Sequence, residues 1–361
     1  MRKYYVDNIR WVTVLLVVIY HVIYMYNGVA TAGVIGPFQE VQYQDALQYI
    51  LYPWFMVILF IVSGMSSRYY LEKHTIKEFI SGRTRKLLVP STVGLFVFQW
   101  ILGYFNMAIG NAFDTFPNTM PKVMLYLIMA VSGTGVLWYI QMLWIFSLGL
   151  AFIRKFETGK LYHICKRVNP IILIALGIPL WGTAQVLNTP IIAVYRFGIY
   201  GFSFLLGYLV FAHDTVIEKL SKYWHALTIV TVVLGCGYVY YYFGENYALE
   251  PVVNSPFSIA YGWMAILSLF AGMKKWGDHT NAFTKWMTAK SFGLYVFHYL
   301  PLAAVAYWMD RYMKVSAVPS YLITGAATFA GGFLLYEIIS RVPLLRWCVL
   351  GIKKGERKSV S

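Results

Sequence analysis

The chain has 361 residues, 59% of them hydrophobic and only 12% charged, with 30 tyrosines, 12 tryptophans and a net charge of +15. Apolar content this high lies well beyond a soluble domain, and apolar stretches long enough to cross a bilayer recur throughout, which excludes a soluble globular protein. The three cysteines, Cys165, Cys236 and Cys348, show no paired spacing, so neither a disulfide framework nor a zinc site organises the fold.

A helix rising about 1.5 Å per residue needs about 20 residues to span the hydrocarbon. Runs that meet this lie at 9–27, 46–67, 87–109, 134–153, 170–187, 193–211, 225–243, 257–273, 291–309 and 319–340. They are continuously apolar, without the alternation of a barrel strand, so the expected class is all-α, a polytopic membrane bundle of about ten helices. Segment 123–133 is too short to span and reads as a half-helix lying at the surface or dipping in. The expected organisation is one transmembrane domain over 1–340 followed by a basic tail over 341–361.

The first run, DNIRWVTVLLVVIYHVIYMYN (7–27), carries Asp7, Arg10 and His21. Arg10 and His21 are eleven residues apart, about 1100° of helical rotation and about 16 Å of rise, so both fall on one helix face with Asp7 nearly in line. His21 then lies near the bilayer midplane, where an ionisable group is costly and marks a functional position. The plainer readings make Arg10 a flanking charge and His21 a core residue bonded to another helix. A signal peptide ending at Ala30-Thr31-Ala32 is a further reading of this segment, weakened by Tyr20 and His21 inside its apolar core.

In the second run, Ser63 of FIVSGM is a polar residue of the kind that serves helix contacts, as are Gln99 and Gln141 in later runs. The following loop carries Arg83, Arg85 and Lys86 just before the third run. Three cations in four residues at a helix start suit either an orientation signal with anionic lipid or an anion clamp. Pro53, Pro179 and Pro301 are expected to kink spans and open a cavity. His298 lies seven residues into the ninth run, whereas His74, His163, His213, His225 and His279 read as solvated loop residues.

The positive charge is unevenly spread. With the amino terminus in the cytoplasm, 26 of the 30 Lys and Arg residues fall inside, leaving Lys122, Arg196, Arg311 and Lys314 outside. This is the positive-inside bias, so both termini are expected to be cytoplasmic and no nucleic-acid partner is needed to explain the surplus.

Together these residues resemble acyltransferase family 3, integral-membrane bacterial enzymes that carry acyl groups from a cytoplasmic donor to sugars of surface or periplasmic glycans. The family's amino-terminal pattern matches Asp7, Arg10 and His21. Its aromatic Ser-Gly motif resembles Ser63 and Gly64, its Leu-Trp-aromatic motif Leu137, Trp138 and Tyr139, and its late Gly-x-Tyr-x-x-His motif Gly293, Tyr295 and His298. The amino-terminal wording is similar to the periplasmic-glucan succinyltransferase-like subgroup. The family's Arg-x-x-Arg before a proline is matched, aligned on Pro90, by Arg83 and Lys86 with Arg85 adjacent, and a lysine cannot copy a bidentate arginine.

The resemblance implies a catalytic His21 assisted by Arg10 and Asp7, and donor binding by Arg83, Arg85 and Lys86. It leaves His298, Tyr295, Trp138 and Ser63 as a second site. The expected donor substrate is acyl-CoA carrying acetyl or succinyl, with no bound cofactor and no metal. The expected acceptor is a hydroxyl of a glycan or lipid-linked sugar, and the expected location is the bacterial inner membrane among its lipids. His21 then acts as general base or as nucleophile. A transporter of an anionic solute and a non-catalytic partner subunit are the alternatives, and release of free thiol from acyl-CoA separates them from an enzyme. The charge pattern predicts that reporters near Ser81 and after Ser361 are cytoplasmic and that one near Gly36 is outside; a cytoplasmic Gly36 reporter overturns this span order.

Overall fold

The computed structural model describes residues 2–29, 33–117, 119–189, 194–313 and 315–353. The small-residue stretch 30–32, Lys314 and the tail cations Lys354, Arg357 and Lys358 lie outside the described residues. Among those described, every regular element is helical, and the one strand-like feature is an isolated bridge between Asn188 and Arg196.

In chain order the helices begin with α1 (Tyr4–Tyr24), α2 (Ala46–Leu71) and α3 (Ile76–Ile109), the last carrying π-helical turns at Thr84–Leu88 and Leu95–Gln99. They continue as α4 (Lys122–Ser132), α5 (Trp138–Phe156), α6 (Pro170–Ala184), α7 (Phe197–Phe211) and α8 (Asp214–Ser221). Next come α9 (Trp224–Tyr242), α10 (Pro256–Trp276), α11 (Ala282–Phe297), α12 (Tyr299–Tyr312), α13 (Ala317–Arg341) and α14 (Pro343–Leu350).

Seven of the described helices are long and apolar enough to cross a membrane, or nine if the bent pairs α7–α8 and α11–α12 each count as one span. At the place of the fifth expected span, α6 begins sharply because the Asn169 side chain caps the Ile172 amide and Pro170 occupies the first turn. It runs only from Pro170 to Ala184, about 22 Å of rise against about 30 Å of hydrocarbon. On α9, Ile229, Val232 and Val233 are 65%, 58% and 65% exposed. Such a face is untenable in water and ordinary against lipid, and with the other apolar helices it makes this a multi-pass membrane protein.

The helices form two compact units. The first comprises Met1–Thr13, Gln48–Ser81 and Ile145–Thr288. Its central crossing brings α2 and α7 into backbone contact: a Cβ on Gly64 would lie 1.9 Å from the Phe204 carbonyl oxygen, and one on Gly207 would lie 2.0 Å from that of Ile61. Without an oil-water difference to drive them together, helices in lipid associate by close packing, and only glycine permits this approach. The Gly64 of the Ser-Gly motif is therefore a packing residue. Around it Phe60 stacks on Tyr200, and Phe211 packs against Trp263 and Phe270 of α10.

The second unit comprises Val14–Leu47, Gly82–Trp144 and Ala289–Ser361. Within it α12 packs against α13 and against the Trp100–Ile109 part of α3. The start of the segment expected to be a basic tail is helical here: α14 packs on the Val89–Gly94 part of α3, and Arg346 is buried.

Of the three prolines expected to kink spans, Pro301 coincides with a bend. It has no amide proton and crowds the carbonyl four residues back, at Phe297, and the chain turns by 49° between α11 and α12 at that point. Hydrogen bonds on both sides persist, from the His298 amide to the Leu294 carbonyl and from the Leu302 amide to the His298 carbonyl. Pro53 lies within an unbroken α2, and Pro179 within α6.

The α2–α7 crossing predicts that Gly64→Ala lowers the melting temperature of the detergent-solubilised protein, at a cost of about 1–3 kcal/mol from overpacking against backbone that cannot yield. Gly272→Ala on α10, where nothing lies within 4 Å of the new Cβ, leaves the melting temperature unchanged or raises it.

Candidate active site

His21 and His298, 277 residues apart in the chain, are hydrogen-bonded in the second unit, with His298 Nε2 3.1 Å from His21 Nδ1. His298 occupies the bend between α11 and α12 and is fully buried. Its Nδ1 lies 2.9 Å from the Tyr295 carbonyl and 3.2 Å from that of Leu294. Carbonyl oxygens only accept, so Nδ1 carries the proton and the neutral ring presents a lone pair at Nε2. His21 must then donate from Nδ1, which leaves its own Nε2 bare.

Aromatic rings complete the setting. Tyr299 and Tyr20 meet the His21 imidazole edge-on at 5.1 and 5.2 Å. Tyr295 donates its hydroxyl to the Val136 carbonyl and packs edge-on against Tyr139 at 5.7 Å. Trp138 opens α5 and lies edge-on to Tyr139 at 6.4 Å. The late motif is thus two devices: its tyrosine ties α11 to the Val136 backbone, and its histidine meets His21. Its Gly293 makes room for a ring, since a Cβ there would lie 2.0 Å from Tyr336.

Arg83, Arg85 and Lys86 of the same unit sit at the first π-helical turn of α3, with Arg83 and Arg85 half-buried and Lys86 exposed. The wider turn changes the spacing that an α-helical reading of Arg-x-x-Lys assumes.

The remaining expected residues belong to the first unit. Arg10 donates to Ser66 Oγ at 2.6 Å and to Asp7 at 3.4 Å, and Asp7 also receives Arg2 at 2.8 Å. Ser66 and Asp7 are wall residues of a cavity of about 640 Å³ lined by charges of both signs, Arg2, Lys3 and Lys73 with Asp7, Glu72 and Asp214. Arg10 thereby braces this cavity through two of its wall residues. Ser63 is buried on α2, one turn before Ser67, whose hydroxyl bonds to the Ser63 carbonyl.

His213, expected to be a solvated loop residue, is buried. Its Nε2 donates to the Tyr162 carbonyl at 2.8 Å and its ring stacks on that of Tyr162 at 3.8 Å, with the Arg68 guanidinium 3.4 Å from the same tyrosine. Among the described residues no group of three or more His, Cys, Asp or Glu is placed to hold a metal ion.

A family model described as an acyltransferase domain matches residues 3–337, nearly the whole chain. The chain belongs to acyltransferase family 3. It is a membrane acyltransferase, and the histidine pair stands within the matched region. No curated protein and no solved structure matches it.

Spacing along the chain could not have shown that His21 and His298 touch, nor that Ser66 holds Arg10. Tyr299 was signalled only by its place beside His298. The hydrogen-bond pattern predicts that nitrogen NMR of the ¹⁵N-histidine-labelled acyltransferase finds the proton of both His298 and His21 on Nδ1. A protonated Nε2 on His298 would reverse the direction of the pair.

Proposed function

We propose that this acyltransferase moves a short acyl group, acetyl or succinyl, from acyl-CoA to a hydroxyl of a glycan or lipid-linked sugar. The observation that carries this reading is the fixed direction of the histidine pair, which leaves His21 Nε2 as an unprotonated nitrogen beside aromatic walls. His21 Nε2 takes the proton of the acceptor hydroxyl as its oxygen attacks the thioester carbonyl carbon. The C–S bond then breaks, and the imidazolium returns the proton to the departing sulfur, so ester and free thiol leave and both histidines are restored.

His298 is the positioning residue. It holds the His21 ring in one tautomer and stabilises the imidazolium through the same hydrogen bond, as the third member of a hydrolase triad does. Arg83, Arg85 and Lys86 supply the positive charge that a coenzyme A diphosphate requires. Asp7 keeps Arg2 and Arg10 in place.

Thiol release from acetyl-CoA and succinyl-CoA, together with mass spectrometry of the glycans of cells that make the protein, tests the reading. His21→Ala and His21→Gln each lower turnover by at least about 10²-fold while leaving membrane insertion intact. Near-normal transfer by His21→Gln would remove the base assignment. His298→Gln lowers kcat by about tenfold or more with little change in KM, because the base is misdirected and binding is untouched. Arg83→Ala raises the KM for acyl-CoA well above any change for the acceptor; equal effects on both would return these cations to an orientation role.

A further inference from the structure

Arg196 is one of the four cations that the charge pattern sets apart from the basic loops, and the acyl-transfer reading gives it no task. It stands at the start of α7 and is only 6% exposed. Its partners are neutral: Asn254 Oδ1 at 2.6 Å, the Val253 carbonyl at 3.4 Å and the Tyr200 hydroxyl. Among the described residues no carboxylate lies within ion-pair distance of it, and its Nε has no hydrogen-bond partner. Asn254 passes its amide on to the Glu250 carboxylate, which is therefore held one side chain away from the guanidinium.

A buried guanidinium without a direct counter-charge is expensive, and in a membrane protein it marks a ligand position. Arg196 lines a cavity of about 410 Å³ together with Asn188, Thr189, Glu250 and Asn254. That volume falls within the about 300–1,000 Å³ of small-molecule sites. The wall offers one fixed cation for an acid group, and amide, hydroxyl and carboxylate groups of the kind that bind sugar hydroxyls. Asn188 adds a buried Oδ1 with no partner.

We propose that this cavity binds an acid-bearing saccharide, with its phosphate or carboxylate on Arg196 and its hydroxyls on Asn188 and Thr189. That the saccharide is the acyl acceptor rests on the acyl-transfer reading; the anion site itself does not.

The test is calorimetric titration of the full-length protein, in phosphatidylcholine nanodiscs and without acyl-CoA, with glucose 1-phosphate against neutral glucose. Glucose 1-phosphate binds at least about tenfold more tightly than glucose, and Arg196→Gln abolishes the difference. Because Arg196 also holds Asn254, a second variant guards against misfolding. Glu250→Gln removes an exposed negative charge beside the anion and tightens glucose 1-phosphate binding, a change that a purely structural Arg196–Asn254–Glu250 chain would not produce. Equal binding of glucose and glucose 1-phosphate, or no tightening in Glu250→Gln, overturns the site. Loss of glucose 1-phosphate binding in phosphatidylglycerol discs assigns the oxyanion to a lipid headgroup and overturns the saccharide. Binding intact in a protein that releases no thiol from acyl-CoA refutes the acyl-transfer reading and leaves the site standing.

Discussion

A hydrogen bond between two imidazoles requires one ring to give a proton and the other to offer a lone pair, and a backbone carbonyl decides which does which. The Tyr295 carbonyl, 2.9 Å from His298 Nδ1, can only accept. From that one restriction the tautomers of His298 and His21 follow in order, and so does the bare Nε2 on His21. An aspartate in the place of His298 would orient the ring equally well but would bring a formal charge into a fully buried position, where desolvation is severe. A neutral histidine gives the direction without the charge.

Bringing His298 to this place depends on the backbone. Pro301 withdraws one amide from the helical ladder, the axis turns by 49°, and His298 stands at the turn. The His298 Nδ1 proton is directed at the carbonyls of Leu294 and Tyr295 just before the bend. The bend places the ring, and the carbonyls before it orient the ring.

The cations of this protein obey one statistical rule and several physical ones. Charge counting treats Arg10, Arg83, Lys86, Arg196 and Arg346 alike, as marks of sidedness. The tertiary structure separates them. Lys86 is exposed, Arg10 is shared between a serine and a carboxylate, Arg346 is buried, and Arg196 is buried among neutral partners. A guanidinium on the surface loses little by being unpaired, whereas a buried one must find charge or polar groups. Burial and pairing therefore separate cations that charge counting treats alike.

What the sequence determined by itself is whatever depends on neighbours along the chain. Apolar runs of bilayer length announced an all-helical membrane protein, and the ordered short motifs, from Asp7 and Arg10 through to Gly293 and His298, announced the acyltransferase family. Ser63 of the Ser-Gly motif was legible as a residue of helix contacts, whereas the close crossing itself is made by its neighbour Gly64. Tertiary structure alone decided the rest. Hydropathy cannot register a 49° bend, an α6 of only 15 residues or a π-helical turn under Arg85, since each alters geometry without altering composition. Nor can local pattern pair residues 277 positions apart: His21 and His298 meet because two separate helices are packed by close contacts, and a hydrogen bond depends on distance and direction in space, not on order along the chain.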